Sequence, residues 1–318
     1  MQALKGRVAV VAGATRGAGR GIACMLGEAG ATVYCTGRSV RGHLHTEGTY
    51  AGRPETIEET AEMVTARGGV GIHVRVDHLI PEQVESLFER ISDEQGQLDV
   101  LVNDISEGVM HDWQPFWKLS LEKGFTALRQ GIHSHLITNR YAVPLMIKRK
   151  RGLIVEITDG DSLSYRGNIF YDLVKTNVNR LAYAMAEELH KHGIAAIAVT
   201  PGHMRTEMVL DHRGVTEENW RDGVKKDKNF ISSETPFFVG RAVAALAADP
   251  NVLEKSGGLY GSWTLSDEYG FTDIDGNRPH WGNYFEKQLH GESPFGASKI
   301  AFEWTLEKRQ KVKGKRQK

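Results

Sequence analysis

The sequence has few cysteines, and their number excludes one class of protein. Among 318 residues there are only two, Cys24 and Cys35, which are too few for the disulfide framework of a small secreted domain. One lies in a predicted helix and the other in a predicted strand. We therefore expect two buried thiols in a reducing compartment.

The chain also lacks an excess of either charge and any long hydrophobic run. Its 40 basic side chains balance 40 acidic ones, so no global field attracts it to nucleic acid or to an anionic membrane. No run approaches the roughly 18 apolar residues that a membrane helix needs. The early apolar stretch "VAVVAGA" leads into a glycine-rich loop instead of a cleavage site, and so predicts a strand. These features predict a cytoplasmic protein with a small-molecule partner, and no partnership with nucleic acid or membrane.

Short β-branched runs alternate with amphipathic stretches along the chain. This pattern is typical of an α/β protein whose parallel sheet carries helices on both faces. Two long helices are predicted from about Leu119 to Ile147 and from about Phe170 to Lys191. Seven strands are predicted, at residues 7–12, 32–37, 71–76, 98–103, 153–158, 194–199 and 258–263.

The length and the spacing of elements favour one domain over residues 1–307. Thr235 and Pro236 have the residue types of a helix cap and a first helical position. Residues 205–234 and 266–305 exceed what strand connection requires, and we expect them to cover the substrate or contact another subunit. The basic residues 308–318 predict a disordered tail.

The first predicted strand runs into the glycine-rich loop "GATRGAGRG". Gly13, Gly17 and Gly19 stand where a tight turn and a helix start would bring backbone N–H groups close to a pyrophosphate. A plain strand–helix turn is the alternative for this spacing alone. The position after the first strand of an alternating fold favours dinucleotide binding.

The end of the second strand bears on the choice of nicotinamide cofactor. An NAD site usually has an acidic side chain there for the ribose 2′-hydroxyl, whereas this chain has Arg38 and Ser39. Arg16, in the loop, adds a second guanidinium, which suits a 2′-phosphate. The sequence therefore predicts NADP(H) over NAD(H), although Arg38 as an exposed surface residue is the alternative.

The segment "YDLVK" places Tyr171 and Lys175 four positions apart. On a helix they share one face and can reach the same bound molecule. Such a pair alone would more often be a solvated lysine beside a half-buried tyrosine. Its place in this fold, after the glycine-rich loop, favours a catalytic pair.

Together these motifs resemble the short-chain dehydrogenase/reductase family, over about residues 5–265. "TVYCTGRS" and "LIVEITDGDSLSY" further resemble its dehydrogenase/reductase member 1 branch. The resemblance implies a single Rossmann-type, doubly wound domain and a homodimer or homotetramer. It implies that cofactor-binding residues are Gly13, Thr15, Arg16, Gly17, Gly19, Arg38, Ser39, Asp77, Asn103, Tyr171, Lys175, Pro201, Gly202 and Thr206.

The resemblance also implies hydride transfer between nicotinamide and a carbonyl or alcohol, with Tyr171 as general acid/base and Lys175 lowering its pKa. The family serine corresponds to Thr158 when counted back from Tyr171 and to Asp159 when the strand ends are aligned, and Ser162 is a third candidate. Thr158 is the expected third catalytic group.

Three further positions, in two segments, depart from the family pattern. The asparagine of the long crossover helix falls at about Gly131, with His133 or Ser134 as possible substitutes. Asp104 and Ser106 replace the second asparagine and the glycine of the fourth-strand motif. A non-catalytic NADP(H)-binding protein is therefore the alternative function.

Other chemistries have weaker support in the sequence. A sugar-nucleotide epimerase is disfavoured because that branch spaces its glycines differently. His43/His45 and His133/His135 lack a recognised ligand set, so no metal site is predicted. His203, after Pro201 and Gly202, is a candidate substrate contact or a solvated loop residue.

Overall fold

The computed structural model describes residues 2–46, 48–106, 112–160 and 165–289. These ranges form a seven-stranded, all-parallel sheet in the order β3-β2-β1-β4-β5-β6-β7. The α/β fold with a parallel sheet predicted from the sequence is therefore confirmed. The strands are β1 (Val8–Ala12), β2 (Thr32–Gly37), β3 (Val70–Arg75), β4 (Val100–Asn103), β5 (Gly152–Ile157), β6 (Ile194–Thr200) and β7 (Leu259–Gly261).

Helices cover both faces of the sheet, because successive strand residues point to opposite sides. Ala9 and Val11 pack with the helices at 17–28, 57–66 and 236–248 in one buried cluster, whereas Val8 and Val10 pack with those at 81–95, 134–149 and 169–189 in another. The helices are α1 (Gly17–Glu28), α2 (Ile57–Ala66), α3 (Pro81–Gln95), α4 (Leu121–Leu128), α5 (Ser134–Arg149), α6 (Ile169–Leu189), α7 (Glu207–Arg213), α8 (Pro236–Ala248), α9 (Ser262–Tyr269) and α10 (Trp281–Leu289). Within the described ranges, no helix has both the length and the apolar character to cross a bilayer.

Helices α1 and α8 touch backbone to backbone. A Cβ on Gly21 would lie 2.1 Å from the carbonyl oxygen of Pro236, and one on Gly240 would lie 2.5 Å from that of Gly21. Only glycine permits this approach, since real Cβ contacts of that length do not occur. The helix that follows the glycine-rich loop is thereby fixed to a helix from the C-terminal third of the chain.

Several local predictions are confirmed and others need correction. The Thr235 hydroxyl caps α8 by accepting from the Phe237 N–H at 3.2 Å, and both Cys24 and Cys35 are buried free thiols. The helix predicted over 119–147 is interrupted by a π-helical turn, Arg129–His133. The last predicted strand is shorter than expected, because α9 begins at Ser262.

Candidate active site

A cleft of about 570 Å³ opens at the carboxyl ends of the strands. It lies where β1 and β4 are neighbours and the strand order reverses, which is the usual ligand site of an open parallel sheet. Its lining includes most of the residues named from the sequence: Gly13, Thr15, Arg16, Gly17, Arg38, Ser39, Asp77, Thr158, Tyr171, Lys175, Pro201, Gly202 and Thr206. Side chains remote in sequence are thus brought to one site.

The glycine-rich loop folds tightly against β4 and the start of α1. A Cβ on Gly13 would lie 2.6 Å from the Asp104 carbonyl oxygen, and one on Gly19 would lie 2.2 Å from the Gly13 carbonyl oxygen. Gly13 and Gly17 also have positive φ values of 93° and 55°, a region that favours glycine. The loop therefore requires glycine at positions 13 and 19 for its close contacts, and favours it at position 17 for its backbone conformation.

Two carboxylates accept hydrogen bonds from the N–H groups at the start of α1. Glu207 Oε2 accepts from Gly17 at 2.9 Å, and Asp104 Oδ2 accepts from Gly19 at 2.7 Å. Burial raises the pKa of Asp104 to about 6, although Lys175 opposes the rise. The start of α1 thus attracts negative oxygen atoms, as the positive end of a helix dipole does.

Basic side chains gather beyond the end of β2. Arg16 donates to Glu55 at 3.1 Å and stacks on Tyr50, yet its Nη2 is buried with no hydrogen-bond partner among the described residues. Arg38 Nη2 lies 3.2 Å from His45 Nε2. A second cavity of about 390 Å³ adjoins this end of the cleft, and its lining includes Arg38, His43, His45, Arg75 and Asp77. This end of the cleft is therefore suited to an anionic group.

Helix α6 places Tyr171 and Lys175 on one buried face. The Asn168 side chain caps the helix by accepting from the N–H groups of Phe170 and Tyr171 at 3.0 and 3.2 Å. Only 8% of Tyr171 and 7% of Lys175 is exposed, and the ammonium nitrogen lies 5.8 Å from the centre of the phenol ring. The predicted pair therefore forms in the folded chain.

The electrostatics of this pair differ from the expectation. Burial raises the pKa of Tyr171 well above its ordinary value, and the negative charge of Asp159 and its hydrogen bond raise it further. Burial lowers the pKa of Lys175, against the opposing effect of Asp104 and Asp159. The surroundings thus favour the protonated phenol, whereas the family pattern implied a lowered pKa.

The side chain beside the Tyr171 hydroxyl is Asp159, not Thr158. The phenol donates to Asp159 Oδ2 at 2.8 Å, whereas the Thr158 hydroxyl donates to the Lys175 carbonyl oxygen at 3.0 Å. The strand-end alignment therefore gives the side chain that contacts the phenol, whereas counting back from the tyrosine gives the residue before it. Ser162, the third candidate, lies outside the described residues.

The π-helical turn occupies the place of the family asparagine. A Cβ on Gly131 would lie 2.4 Å from Val174 Cγ1 on α6, so close packing of the two helices excludes a larger side chain. His133 is exposed, and the Ser134 hydroxyl donates to the Gln130 carbonyl oxygen. Gln130, which the sequence did not single out, lines the cleft instead of either proposed substitute.

A buried polar network below the cleft was not predicted from the sequence. Glu156 accepts from Asn103, Asn139 and His135 at 2.8, 2.7 and 2.5 Å, and the other ring nitrogen of His135 lies 2.9 Å from the Ile105 carbonyl oxygen. Asn103 is not among the described residues that line the cleft, and its side chain serves this network. The sequence signal was a glutamate inside an otherwise apolar strand.

The C-terminal segments form another part of the cleft wall and contact the glycine-rich loop through Glu207. Glu234 Oε2 accepts from the Gly202 N–H at 2.9 Å, and Thr206 caps α7 by accepting from the Val209 N–H at 3.3 Å. The His203 ring lies 5.5 Å from Phe230 and 5.6 Å from Trp281. Burial is the main cause of its lowered pKa. Both segments that exceed strand connection thus contribute residues to the cleft.

The chain contains no group of three or more His, Cys, Asp or Glu side chains arranged to hold a metal ion within the ranges that the structure describes.

Comparisons with known proteins show the family of this chain. The sequence profile of the short chain dehydrogenase family matches residues 7–214. Dehydrogenase/reductase SDR family member 1 from Mus musculus is 37% identical over 279 residues, which cover 86% of this chain and 85% of that protein. The 3-oxoacyl-(acyl-carrier-protein) reductase of Vibrio harveyi is 27% identical, over 81% of this chain and 98% of its own length.

A similar fold is seen in a crystal structure of a short chain dehydrogenase from Mycobacterium thermoresistibile. It superposes with a TM-score of 0.71 at 21% identity and covers 88% of this chain and 92% of its own. The fold, the matched profile and the mouse relative lead to one conclusion. The chain belongs to the short-chain dehydrogenase/reductase family, in the branch that includes dehydrogenase/reductase member 1.

Proposed function

We propose that the protein is an NADP(H)-dependent oxidoreductase that interconverts a carbonyl compound and its alcohol. The single observation that carries this proposal is the burial of Tyr171 and Lys175 on one face of α6, inside the cleft that the glycine-rich loop also lines. Bound nicotinamide would supply or accept the hydride. The chain itself would bind the nucleotide, orient the substrate oxygen and move a proton.

The residues present fit a dinucleotide phosphate. The Gly17 and Gly19 N–H groups already bind carboxylate oxygen atoms, so the start of α1 binds anionic groups. The buried, unpartnered Nη2 of Arg16 is a donor that a phosphate oxygen would satisfy. Arg38 and Ser39 follow β2, where an NAD site would have a carboxylate. These features support NADP(H) over NAD(H).

The raised pKa of Tyr171 suits reduction. A phenol that stays protonated at neutral pH holds the proton that a carbonyl oxygen must receive as it gains negative charge. Lys175, held at 7% exposure beneath it, would contribute a positive charge and donate to the nucleotide. His203 and Trp281, which also line the cleft, favour a substrate with an apolar or aromatic flank.

The named relatives agree with a small-molecule substrate. They include the 3-oxoacyl-(acyl-carrier-protein) reductase and a 7alpha-hydroxysteroid dehydrogenase from Clostridium sardiniense, the latter 28% identical over 250 residues. We further propose a cytoplasmic homo-oligomer formed through the apolar side chains that α4, α5 and α6 expose, including Leu121, Phe125, Leu136 and Leu173.

Oxidation of NADPH against a panel of aldehydes, ketones and quinones tests the function. We expect turnover with at least one carbonyl class, slower turnover with NADH, and loss of turnover in Tyr171→Phe. Tyr183→Phe, twelve residues further along the same helix, is the matched control and should keep wild-type rates.

A non-catalytic NADP(H)-binding protein is the second candidate. The specific observation in its favour is that Asp159, not a serine, receives the phenol hydrogen bond. This candidate predicts tight NADPH binding in wild type and in Tyr171→Phe, with no Tyr171-dependent turnover on any member of the panel.

A further inference from the structure

The Asp159 carboxylate limits what Tyr171 can donate. A phenol has one O–H, and here that proton points to Asp159 Oδ2 at 2.8 Å. An ionised carboxylate only accepts hydrogen bonds. While Asp159 is ionised, the pair can therefore accept a hydrogen bond from an alcohol, but it has no donor left for a carbonyl oxygen.

A second proton, carried by Asp159, reverses the direction of the hydrogen bond between Asp159 and Tyr171. If the carboxyl is protonated, its O–H can donate to the phenol oxygen, and the phenol O–H is then free to donate to the substrate. Serine, the usual family residue here, carries its own donor at every pH. Aspartate makes the donor depend on protonation of a carboxyl group that is half-buried and lines the cleft.

Titratable groups from every neighbouring element face this pair. Lys175 comes from α6, Asp104 from the end of β4, His203 from the loop after β6 and Tyr50 from the segment before α2. Arg166 donates to the Asp159 backbone carbonyl oxygen at 2.5 Å and to Asp172 at 3.0 Å, which holds its guanidinium beside the pair. The pair therefore lies near two cations, Lys175 and Arg166, and near one further carboxyl group, Asp104.

We propose that Asp159 and Tyr171 act as one proton-holding pair, which needs two protons to reduce a carbonyl and one proton to oxidise an alcohol. The proposal rests on the proposed oxidoreductase function. In reduction, the carbonyl carbon receives the hydride and its oxygen takes the phenol proton, while the phenol oxygen takes the Asp159 proton. The pair is left with one proton, in the arrangement that the structure shows, and regains the second from water. Oxidation runs these transfers backwards.

The proposal predicts opposite pH dependences for the two directions. Above the apparent pKa of the pair, kcat/KM for carbonyl reduction should fall about tenfold for each pH unit, while alcohol oxidation should rise to a plateau. Asp159→Asn keeps the shape and supplies a permanent N–H donor, and Asp159→Ser supplies a hydroxyl. In both variants, kcat/KM for carbonyl reduction should no longer fall above this pKa, so reduction should continue to higher pH.

A second readout needs neither cofactor nor substrate. The ultraviolet absorbance of the phenolate, taken as the difference between wild type and Tyr171→Phe, reports ionisation of Tyr171 alone. Because the Asp159 charge raises the pKa of Tyr171, Asp159→Asn should form phenolate at lower pH than wild type. Asp222→Asn, which removes an exposed carboxylate paired with Lys225, should leave the phenolate titration and both profiles unchanged.

The outcomes separate the two proposals. Absence of Tyr171-dependent turnover overturns the proposed function, whatever Asp159 does. The proton-pair proposal is overturned if turnover depends on Tyr171 but the pH profiles of wild type, Asp159→Asn and Asp159→Ser are parallel and the phenolate titration does not shift. An equal loss of activity at every pH in both Asp159 variants would also overturn it, since that pattern reflects lost structure.

Discussion

At the scale of single residues, Glu207 accepts a hydrogen bond from an N–H group at the start of α1 that an anionic ligand would otherwise bind. Its carboxylate accepts from Gly17 and lies 3.6 Å from Arg20. Glu207→Gln removes a negative charge beside the expected pyrophosphate position, so we expect NADPH to bind several-fold more tightly. Titration of NADPH fluorescence measures this, with Glu218→Gln at an exposed position as control. Unchanged or weaker binding would contradict the expectation.

Cofactor preference also belongs to single side chains. Arg38→Ala should reduce kcat/KM with NADPH by about tenfold or more and leave NADH nearly unaffected, since a charge-assisted hydrogen bond contributes about 1.5–3 kcal/mol. Arg41→Ala is the matched control, because Arg41 is exposed and pairs with Glu62. An equal loss with both cofactors would indicate that Arg38 supports the fold and not the 2′-phosphate.

Single residues also mark the limit of sequence reasoning. Tyr171, Lys175 and the glycines could be predicted because local spacing specifies them. Asp159 and Thr158 could not be told apart, since a shift of one residue at a strand end is invisible without the neighbouring helix. Gln130 was missed because its position depends on the π-helical turn.

At the scale of elements, an ion pair across the cleft joins the segment between β2 and α2 to α7. Arg53 on this segment contacts Glu55 and donates to Asp211 of α7 at 2.5 Å. Arg53→Ala should therefore raise the rate of NADPH dissociation by about fivefold, the effect of roughly 1 kcal/mol. Stopped-flow fluorescence measures the rate, and Arg90→Ala, which removes an exposed pair on α3, should leave it unchanged.

The elements themselves were largely predictable. Strands with continuous apolar runs and helices with capping residues follow from local sequence, as with Thr235 and Pro236. The break between α4 and α5 was not predicted, because Gly131 is required by contact with Val174 on α6. A tertiary contact of this kind leaves no periodic signal.

At the scale of the whole molecule, the exposed apolar side chains of α4, α5 and α6 bear on the oligomeric state. Leu136 on α5 is 49% exposed, and Leu136→Glu would place a charge in the proposed interface. We expect the variant to elute as a monomer where wild type is a dimer or tetramer, as measured by light scattering after gel filtration. Ile274→Glu, an exposed position remote in sequence from these helices, should leave the assembly unchanged.

Global stability should respond to pH through Glu234. Burial raises the pKa of this carboxyl from 4.5 to about 8, so the folded state holds its proton while the unfolded state has released it. Its favourable contribution is complete below pH 4.5 and is lost as the pH rises to about 8. The free energy of unfolding of wild type should thus fall relative to Glu234→Gln by about 1.4 kcal/mol per pH unit in this window. Urea unfolding of both proteins measures it, and a constant difference would contradict the assignment.

The backbone contact between α1 and α8 has a consequence for biosynthesis. During translation, the glycine-rich loop and α1 leave the ribosome early, but the helix that covers α1 at Gly21 is made only after the sixth strand. Until then the apolar flank of α1 remains open to chaperones and to other nascent chains. The loop proposed to bind the nucleotide is thus made well before α8, the helix that completes its packing.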